Sequence, residues 1–313
     1  MTTALFSHPD FLLHDNGAHH PERAARLDAI ESRLKVESLW DGLLHPDFAP
    51  AREAQLEYSH TPALVNQIKD LARNGGGQID ADTRVNDVSF DVAKLAVGAS
   101  IGAVAGVLRM DFDNAFVASR PPGHHAESAR AMGFCLFNSI AIAARYAQKE
   151  HGLERVAIVD FDVHHGNGTQ EIFYSDGSVF FASVHQSPLY PGTGRSSERG
   201  AGDGVGATLN IPLEAGHGDA EYSQVWDEVG REVKKFAPEL ILVSAGFDAH
   251  ARDPLGGMNL SAQGYANMMR STLAWANEVC DGRVVCVLEG GYDLKGLSES
   301  VEMVIRVLSG ENN

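Results

Sequence analysis

Carboxylates and imidazoles are crowded into one short stretch of this 313-residue chain, IVDFDVHHGNGTQ, directly after an apolar run. The stretch contains Asp160, Asp162, His164 and His165. On an extended backbone, residues two apart point to the same side, so Asp162 and His164 can face one ligand. Carboxylate oxygen and imidazole nitrogen both bind zinc, and three protein ligands leave one coordination position for water or substrate. The spacing therefore indicates a metal site.

A third candidate ligand, Asp248 in SAGFDAH, follows a different apolar run. Any one of these acids could instead cap a helix or close an Asx turn. The tripeptide Asp-Phe-Asp also occurs at 111–113, where it follows a helical pattern and we expect an ordinary turn. Only the copy at 160–162 is followed by HHGNG. Asp162, His164 and Asp248 are therefore candidate ligands of one metal ion, with cap or turn roles as the alternative.

Two further stretches carry groups that can take part in catalysis. PPGHH places His124 and His125 in a turn fixed by prolines and a glycine, where adjacent imidazoles can flank a small pocket. In LEGGY, glycines let the backbone approach a ligand closely, and the Tyr292 hydroxyl can donate to a reacting oxygen. The ordinary alternative for each is a satisfied core or surface residue. Their proximity in the fold decides between the two.

The elements that position these residues alternate between strand and helix. Uninterrupted apolar runs, typical of strands covered on both faces, lie at 115–119, 156–159, 179–183, 240–244 and 284–288. Helical patterns lie at 22–35, 138–152 and 219–236, the second with Asn138 as its cap and Gly152 at its end. This alternation predicts a single α/β domain over 1–313, an open parallel sheet with helices on both faces. Its active site is expected at the carboxyl ends of the strands.

Composition limits the class of protein. Apolar residues make up 44% and charged residues 21%, which is typical of a soluble globular chain. The net charge of −17 disfavours nucleic acid as a partner. The cysteines show no paired spacing and the N-terminus resembles no secretory signal, so we expect a reducing, cytoplasmic location. The apolar stretch 95–108 is too short to span a bilayer, so we expect a buried helix and no membrane partner.

Together, PPGHHA, DFDVHHGNGTQ, YPGTG, SAGFDAH and LEGGY resemble, in order and spacing, the zinc-dependent histone deacetylase family. The closer match is to its class II and bacterial histone deacetylase-like amidohydrolase branch, which also includes acetylpolyamine amidohydrolases. The resemblance runs from residue 20 to about residue 297. It implies an arginase/deacetylase-like fold and a hydrolase that removes acetyl or other acyl groups from ε-N-acyl-lysine. Water would be the nucleophile and acetate the product.

The resemblance also implies the cofactors. Asp162, His164 and Asp248 would bind the catalytic Zn²⁺, with Fe²⁺ as an alternative in the cell. A K⁺ ion would lie beside it, held by side-chain or carbonyl oxygens of Asp160, Asp162, His164, Ser183 and Val184. A second K⁺ site would use carbonyls of Phe173, Asp176 and Val179.

The catalytic roles implied by the resemblance are as follows. His125 would take the proton from the attacking water and later pass one to the leaving amine. His124 would stabilise the developing charge, with Asp160 behind it. Tyr292 would donate a hydrogen bond to the carbonyl oxygen.

The same resemblance assigns the surroundings of the site. The substrate tunnel would be lined by Gly133, Phe134, Tyr190 and Leu255, and Arg23 would lie beneath the site near where acetate leaves. His165 and Asn167 would support the ligands and the histidine pair. Asn167 stands where class I enzymes have aspartate, and Leu255 stands where a polyamine-selective member has an acid.

Alternative functions stay open at this point. A two-manganese ureohydrolase of the arginase type would use His250 and Asp253 as extra ligands. A small acylated amine such as an acetylpolyamine could replace acyl-lysine as the substrate. A non-catalytic module that binds an acylated partner would be expected to lack Tyr292 or a ligand, and none is missing. Oligomeric state is not indicated by the sequence.

Overall fold

Seven parallel strands form the central sheet of the computed structural model, which describes residues 1–311. Residues 312 and 313 of the predicted 1–313 domain lie outside the described part. In chain order, all strands within residues 1–311, including two outside the central sheet, are β1 (Thr3–Phe6), β2 (Gly77–Gln78), β3 (Arg84–Val85), β4 (Asn114–Val117), β5 (Val156–Asp160), β6 (Val179–Gln186), β7 (Thr208–Leu213), β8 (Leu240–Ala245) and β9 (Val284–Leu288). Strands β2 and β3 form a separate antiparallel pair.

The order of strands in the central sheet is β1-β4-β9-β8-β5-β6-β7. The apolar runs predicted the five inner strands β4, β9, β8, β5 and β6, each of which is buried along its length. The edge strands β1 and β7 were not predicted. β7 alternates Thr208 and Asn210 with apolar residues and includes Pro212, which fits an edge strand but lacks the continuous apolar run of a central one.

Helices cover the sheet on both faces, as the alternation predicted. They are α1 (Ala25–Val36), α2 (Glu53–Leu56), α3 (Pro62–Arg73), α4 (Ser89–Arg109), α5 (Ser139–His151), α6 (Asn167–Phe173), α7 (Asp219–Phe236), α8 (Ala262–Val279) and α9 (Leu294–Leu308). Helices α1, α9, α8 and α7 pack in a row, each against the next, while α4 packs against α5. The main hydrophobic core lies between the central sheet and these two groups of helices.

Helix boundaries show which sequence signals were sufficient. α5 begins as predicted, because the Asn138 side chain accepts a hydrogen bond from the Ala141 N–H, and it ends at Gly152 with φ of 74°. α7 has its predicted bounds. α1 begins at Ala25, later than predicted, because residues before it form a turn in which the Glu22 N–H donates to His20 Nδ1.

The apolar stretch 95–108 lies inside α4, as a buried helix. By length and composition alone, α4 could cross a membrane, but 78% of its most apolar window is buried within the protein. It is therefore a core helix that packs against both the sheet and α5.

Candidate active site

Four neighbouring strands of the sheet bring the candidate residues together. In sheet order, His124 and His125 follow β4, Tyr292 follows β9, Asp248 follows β8 and Asp162 follows β5. Parallel strands place their carboxyl ends at one edge of the sheet, and ligands of open α/β sheets bind there. Residues far apart in sequence therefore meet at one site.

Asp162, His164 and Asp248 form a cluster of potential metal ligands, whose ligand atoms all lie within 4.8 Å of one another. His164 Nδ1 lies 3.1 Å from Asp162 Oδ1 and 3.1 Å from Asp248 Oδ2. The other carboxylate oxygens are held by the backbone: the Val163 N–H donates to Asp248 Oδ1 and the Gly290 N–H donates to Asp162 Oδ2. Each aspartate thus has one fixed oxygen and one that faces the histidine.

The electrostatics of this cluster fit a bound cation. Burial, together with the charge of Asp162, raises the pKa of Asp248 to about 7, since two buried carboxylates resist being charged together. Burial lowers the pKa of His164, but hydrogen bonds to Asp162 and Asp248 outweigh it and raise this pKa to about 10. A positive charge between the carboxylates is therefore strongly favoured. A divalent metal ion would supply it, and the donor set of oxygen and nitrogen suits a first-row transition metal.

Glycine is required at two positions beside this cluster. A Cβ atom at Gly246 would collide with the Asp162 carboxylate, and one at Gly290 would collide with the Asp248 carboxylate. The backbone of two neighbouring strand ends can therefore press directly against the acids. The glycines of SAGFDAH and LEGGY fix the carboxylates in place.

His125 is held in the protonation state of a base. Its Nδ1 lies 2.7 Å from Asn167 Oδ1, and the Asn167 amide is oriented because its Nδ2 donates to Glu127 Oε1 at 2.9 Å. The facing amide oxygen is only an acceptor, so Nδ1 carries the proton and Nε2 keeps its lone pair. Burial and the neighbouring charges of His124 and His164 hold the pKa of His125 well below its usual value. A neutral imidazole with a free nitrogen can accept a proton from water.

His124 has the opposite electrostatic environment, although the two rings lie 4.1 Å apart between centroids. Its Nδ1 is 2.9 Å from Asp160 Oδ2. Burial lowers its pKa, but the charges of Asp160, Asp162 and Glu289 raise it well above the usual value. The pair therefore divides into a cationic imidazole and a neutral one, which suits charge stabilisation and proton transfer respectively.

Tyr292 is positioned as a hydrogen-bond donor. Its backbone N–H donates to Asp253 Oδ2 at 2.6 Å, and the guanidinium carbon of Arg26 lies 5.1 Å from its ring centroid. Burial and the nearby charge of Asp248 raise the pKa of Tyr292 well above its usual value, so the phenol keeps its proton. A protonated phenol beside a reacting carbonyl can stabilise an oxyanion.

A narrow cavity of about 230 Å³ leads to these groups. Its walls are formed by Asp82, His125, Gly133, Phe134, His164, Leu189, Tyr190, Leu255 and Tyr292. The structure thus brings together all four residues that the resemblance assigned to the tunnel. A Cβ at Gly133 would meet the His125 ring at 2.5 Å, so this wall can approach the histidine only with glycine there. Tyr190 is 38% exposed.

The arginine beneath the site is a different one from that assigned by resemblance. The Arg23 side chain is exposed. Arg26 is fully buried instead, and it donates from Nε to the Gly291 carbonyl at 2.7 Å and from Nη2 to the Glu289 carbonyl at 2.5 Å. Arg26 lies in the first turn of α1, whereas Arg23 lies in the segment before the helix.

The residues assigned to the K⁺ sites and to support of the ligands lie on β5, β6 and the segments that follow them. Asp160 and Ser183 are paired in register on β5 and β6, with Ser183 Oγ 3.0 Å from His185 Nδ1. His165 contacts Thr193 and Gln170, and so supports the segment that carries Tyr190. At the proposed outer site, the Asp176 N–H donates to the Phe173 carbonyl, and Val179 begins β6. Both K⁺ sites, including the Val184 carbonyl, stay predictions.

His250 and Asp253 do not join the metal cluster. The Arg252 N–H donates to His250 Nδ1, and the Asp253 carboxylate accepts from the backbone N–H groups of Leu255, Tyr292 and Asp293. Within residues 1–311, Asp162, His164 and Asp248 are the one group of three or more His, Cys, Asp or Glu side chains with ligand atoms close enough to share an ion. The geometry therefore disfavours the two-manganese alternative.

Three functional candidates were missed by the sequence analysis: Asp82, Arg26 and the carboxylate of Glu289. Asp82 lines the cavity from the loop between β2 and β3, which are too short to give a strand pattern. Arg26 is one of several charged residues in a helix with a weak apolar face. Glu289 lies within LEGGY, where only the glycines and the tyrosine have residue types that indicate a ligand site. No local pattern reveals that its side chain points at another loop.

Comparison with known proteins places these features in one family. Residues 20–308 match the histone deacetylase domain. A probable deacetylase of Archaeoglobus fulgidus is 45% identical over 301 residues, which cover 95% of this chain and 83% of the relative. A histone deacetylase-like amidohydrolase of Pseudomonas aeruginosa is 38% identical over 295 residues, covering 94% of this chain and 78% of the relative. The crystal structure of the HDA15 HD domain superimposes with a TM-score of 0.94 at 36% identity, covering 99% of this chain and 88% of that one.

Proposed function

The chain belongs to the histone deacetylase family, and we propose that it removes acetyl or other acyl groups from ε-N-acyl-lysine side chains of proteins or peptides. One observation carries this proposal. His164 of the ligand cluster, the neutral imidazole of His125 and the protonated phenol of Tyr292 line a single cavity, and the cationic imidazole of His124 lies 4.1 Å from that of His125 between ring centroids. Such groups supply general acid–base catalysis and oxyanion stabilisation, which hydrolysis of an unactivated amide benefits from.

We propose Zn²⁺ as the metal of the Asp162, His164 and Asp248 cluster, with Fe²⁺ as a possible substitute and K⁺ as a neighbouring cation. When bound, the metal supplies Lewis acidity that polarises a carbonyl and makes water a better nucleophile. The two aspartates neutralise the ion formally, so it is a weaker Lewis acid than one held by histidines alone. The chain's own acid, base and hydrogen-bond donor therefore contribute a large share of catalysis.

The protein groups have distinct roles in this proposal. His125 Nε2 receives a proton from the attacking water and returns one to the leaving amine, while Asn167 holds the Nδ1 proton in place. The His124 imidazolium, paired with Asp160, stabilises the negative charge that develops on the oxygens of the tetrahedral transition state. The Tyr292 hydroxyl donates to the carbonyl oxygen as it gains charge.

The cavity fits the substrate class. Phe134 and Tyr190 give it aromatic walls and Leu255 an aliphatic one, which suits the methylene stem of an acyl-lysine. The alternative substrate, an acetylpolyamine or another small acylated amine, is favoured by the Asp82 carboxylate, which could pair with a second amino group. Leu255 disfavours that alternative, because an apolar residue lines the cavity where a polyamine-selective relative is expected to carry an acid.

A substrate panel tests the proposal. Purified protein loaded separately with Zn²⁺, Fe²⁺ or Mn²⁺, with and without K⁺, is assayed on acetyl-lysine peptides, longer acyl-lysine peptides, acetylated polyamines and arginine. We expect acyl-lysine peptides to have the highest kcat/KM and one divalent ion to bind per chain. Higher kcat/KM on acetylpolyamines would establish the alternative. Urea release with two bound Mn²⁺ would establish a ureohydrolase, and inertness of metal-loaded protein on every substrate would indicate a binding module. A cytoplasmic location stays a prediction.

A further inference from the structure

Glu289 is a buried carboxylate at the end of β9 that the proposed reaction does not use. Its side chain is fully buried, and its Oε2 accepts hydrogen bonds from the Gly123 N–H at 2.6 Å and the His124 N–H at 3.1 Å. Its Oε1 lies 3.4 Å from Ser244 Oγ, a weaker contact. The Glu289 carboxylate is thus directed at the turn that carries the histidine pair and not at the metal cluster.

Successive backbone N–H groups that converge on one oxygen form an anion-binding concavity. Here the concavity belongs to the turn of PPGHH, and its occupant is a side chain from a different strand end. In the described part of the chain, neither the Gly123 N–H nor the His124 N–H has another acceptor. Gly123 and His124 are both buried, so loss of the acceptor would leave their N–H groups unpaired in the protein interior.

The backbone of Glu289 belongs to the turn that presents Tyr292. Its N–H donates to the Ala245 carbonyl at 3.0 Å, which continues the pairing of β8 with β9, and its carbonyl accepts from Arg26. The same residue therefore fixes its own turn through its backbone and the histidine turn through its side chain. Glu289 thus connects the turn of the imidazole pair with the turn of the phenol.

We propose that Glu289 is a positioning residue that holds His124 and His125 in register with Tyr292. The inference rests on the proposed function, since it concerns the geometry of that same site. The positioning depends on hydrogen bonds and not on the charge of the carboxylate, because a single oxygen, Glu289 Oε2, accepts from both the Gly123 N–H and the His124 N–H. An amide side chain can place its oxygen at the same point and its nitrogen toward Ser244.

Three substitutions separate geometry from charge. Glu289→Gln keeps the acceptor oxygen and removes the charge, whereas Glu289→Asp keeps the charge and withdraws the acceptor, and Glu289→Met removes both. We expect the Glu289→Asp and Glu289→Met variants to have kcat lowered by ~10–100-fold with KM nearly unchanged, as for residues that orient catalytic groups. The Glu289→Gln variant should keep most of the wild-type kcat. Ser244→Ala, which removes only the weaker contact, is the matched control and should leave kcat close to wild type.

A second readout does not depend on activity. In ¹⁵N–¹H spectra, the Gly123 and His124 amide protons should be shifted downfield and exchange slowly in wild type and Glu289→Gln, and lose both properties in Glu289→Asp and Glu289→Met. Wild-type protein inert on every acylated amine would overturn the proposed function, while these amide signals would still test the positioning. If Glu289→Met does not fold, Glu289→Asp decides the question.

Several outcomes would overturn the inference. Wild-type kcat in Glu289→Asp would show that the acceptor is not needed. Equal losses in Glu289→Gln and Glu289→Met would show that charge, not hydrogen bonding, matters. A rise in KM with kcat unchanged would place Glu289 in the substrate cavity, and loss of bound metal in all three variants would indicate support of the ligand cluster instead.

Discussion

The tripeptide Asp-Phe-Asp occurs twice in this protein, with opposite outcomes. At 111–113 it lies in the exposed turn between α4 and β4, where the Asp111 carboxylate pairs with Arg109 at 2.8 Å and Asp113 accepts from the Thr2 N–H. At 160–162 it ends β5, and both carboxylates are buried beside His124 and His164. The phenylalanine is buried in both copies.

The difference arises from the edge of the sheet that each copy occupies. The first copy precedes β4 and so lies at the amino edge, whereas the second follows β5 and lies at the carboxyl edge. Only the carboxyl edge receives the loops that carry His125, Asp248 and Tyr292. The phenylalanine therefore packs into the core in both copies. The residues around each copy determine whether its aspartates face the ligand cluster or the solvent.

The sharpest test of this contrast exchanges one aspartate in each copy for asparagine. Asp162→Asn should abolish turnover and release the metal, with a loss greater than the ~10–100-fold typical of residues behind the ligands. Asp111→Asn should keep activity and stability, since exposed ion pairs contribute about 0–1 kcal/mol. Metal content after dialysis and kcat/KM measure both. Full metal occupancy in Asp162→Asn would contradict the ligand assignment.

A second test concerns the base at the carboxyl edge. His125→Ala should lower kcat by ~10²–10⁴-fold, because general acid–base catalysis is lost while the ligand cluster stays intact. Bound metal, measured by elemental analysis, should remain at the wild-type level. The exposed His19 provides a control, and His19→Ala should behave as wild type. Loss of metal from the His125 variant would place this imidazole among the ligands.

A third test removes one hydroxyl. Tyr292→Phe should lower kcat by ~10²–10³-fold, the usual effect of losing one donor to an oxyanion. Metal content and folding should not change, because the ring and the backbone contact with Asp253 remain. Tyr58→Phe is the control, since that hydroxyl donates to Glu150 on the surface. Near-normal kcat in the Tyr292 variant would remove this residue from the mechanism.

The smallest effect on activity is expected at the phenylalanine of the amino-edge copy. Phe112 packs against Phe6 with ring centroids 5.9 Å apart, and Phe112→Ala should lower the free energy of unfolding by about 3–5 kcal/mol. The kcat of the folded fraction should stay at the wild-type level. Denaturant titration combined with kinetics below the transition measures both. A large fall in kcat with little loss of stability would show that the amino edge is coupled to catalysis.

Much of this arrangement was predictable because it depends on local patterns. Continuous apolar runs indicated the five inner strands, and caps indicated the ends of α5. The edge strands were missed, because the apolar run of β1 covers only 4–6, and β7 interleaves polar residues with apolar ones. The start of α1 was predicted too early, because the propensity of residues 22–24 for helix was overridden by buried contacts of Glu22 with Arg26 and Arg120. Arg23 was assigned by resemblance, and the burial of Arg26 in its place depends on these tertiary contacts.

The sequence by itself determined the fold class, the ligand types and the family, because these follow from periodicity and from the order of short motifs along the chain. Tertiary structure alone decided which groups act on one another. The tautomer of His125 depends on Asn167 and the second carboxylate of the cluster comes from β8, while Glu289 reaches the histidine turn across two strand ends. Such contacts join residues distant in sequence, and no spacing along the chain encodes the distance between two loops.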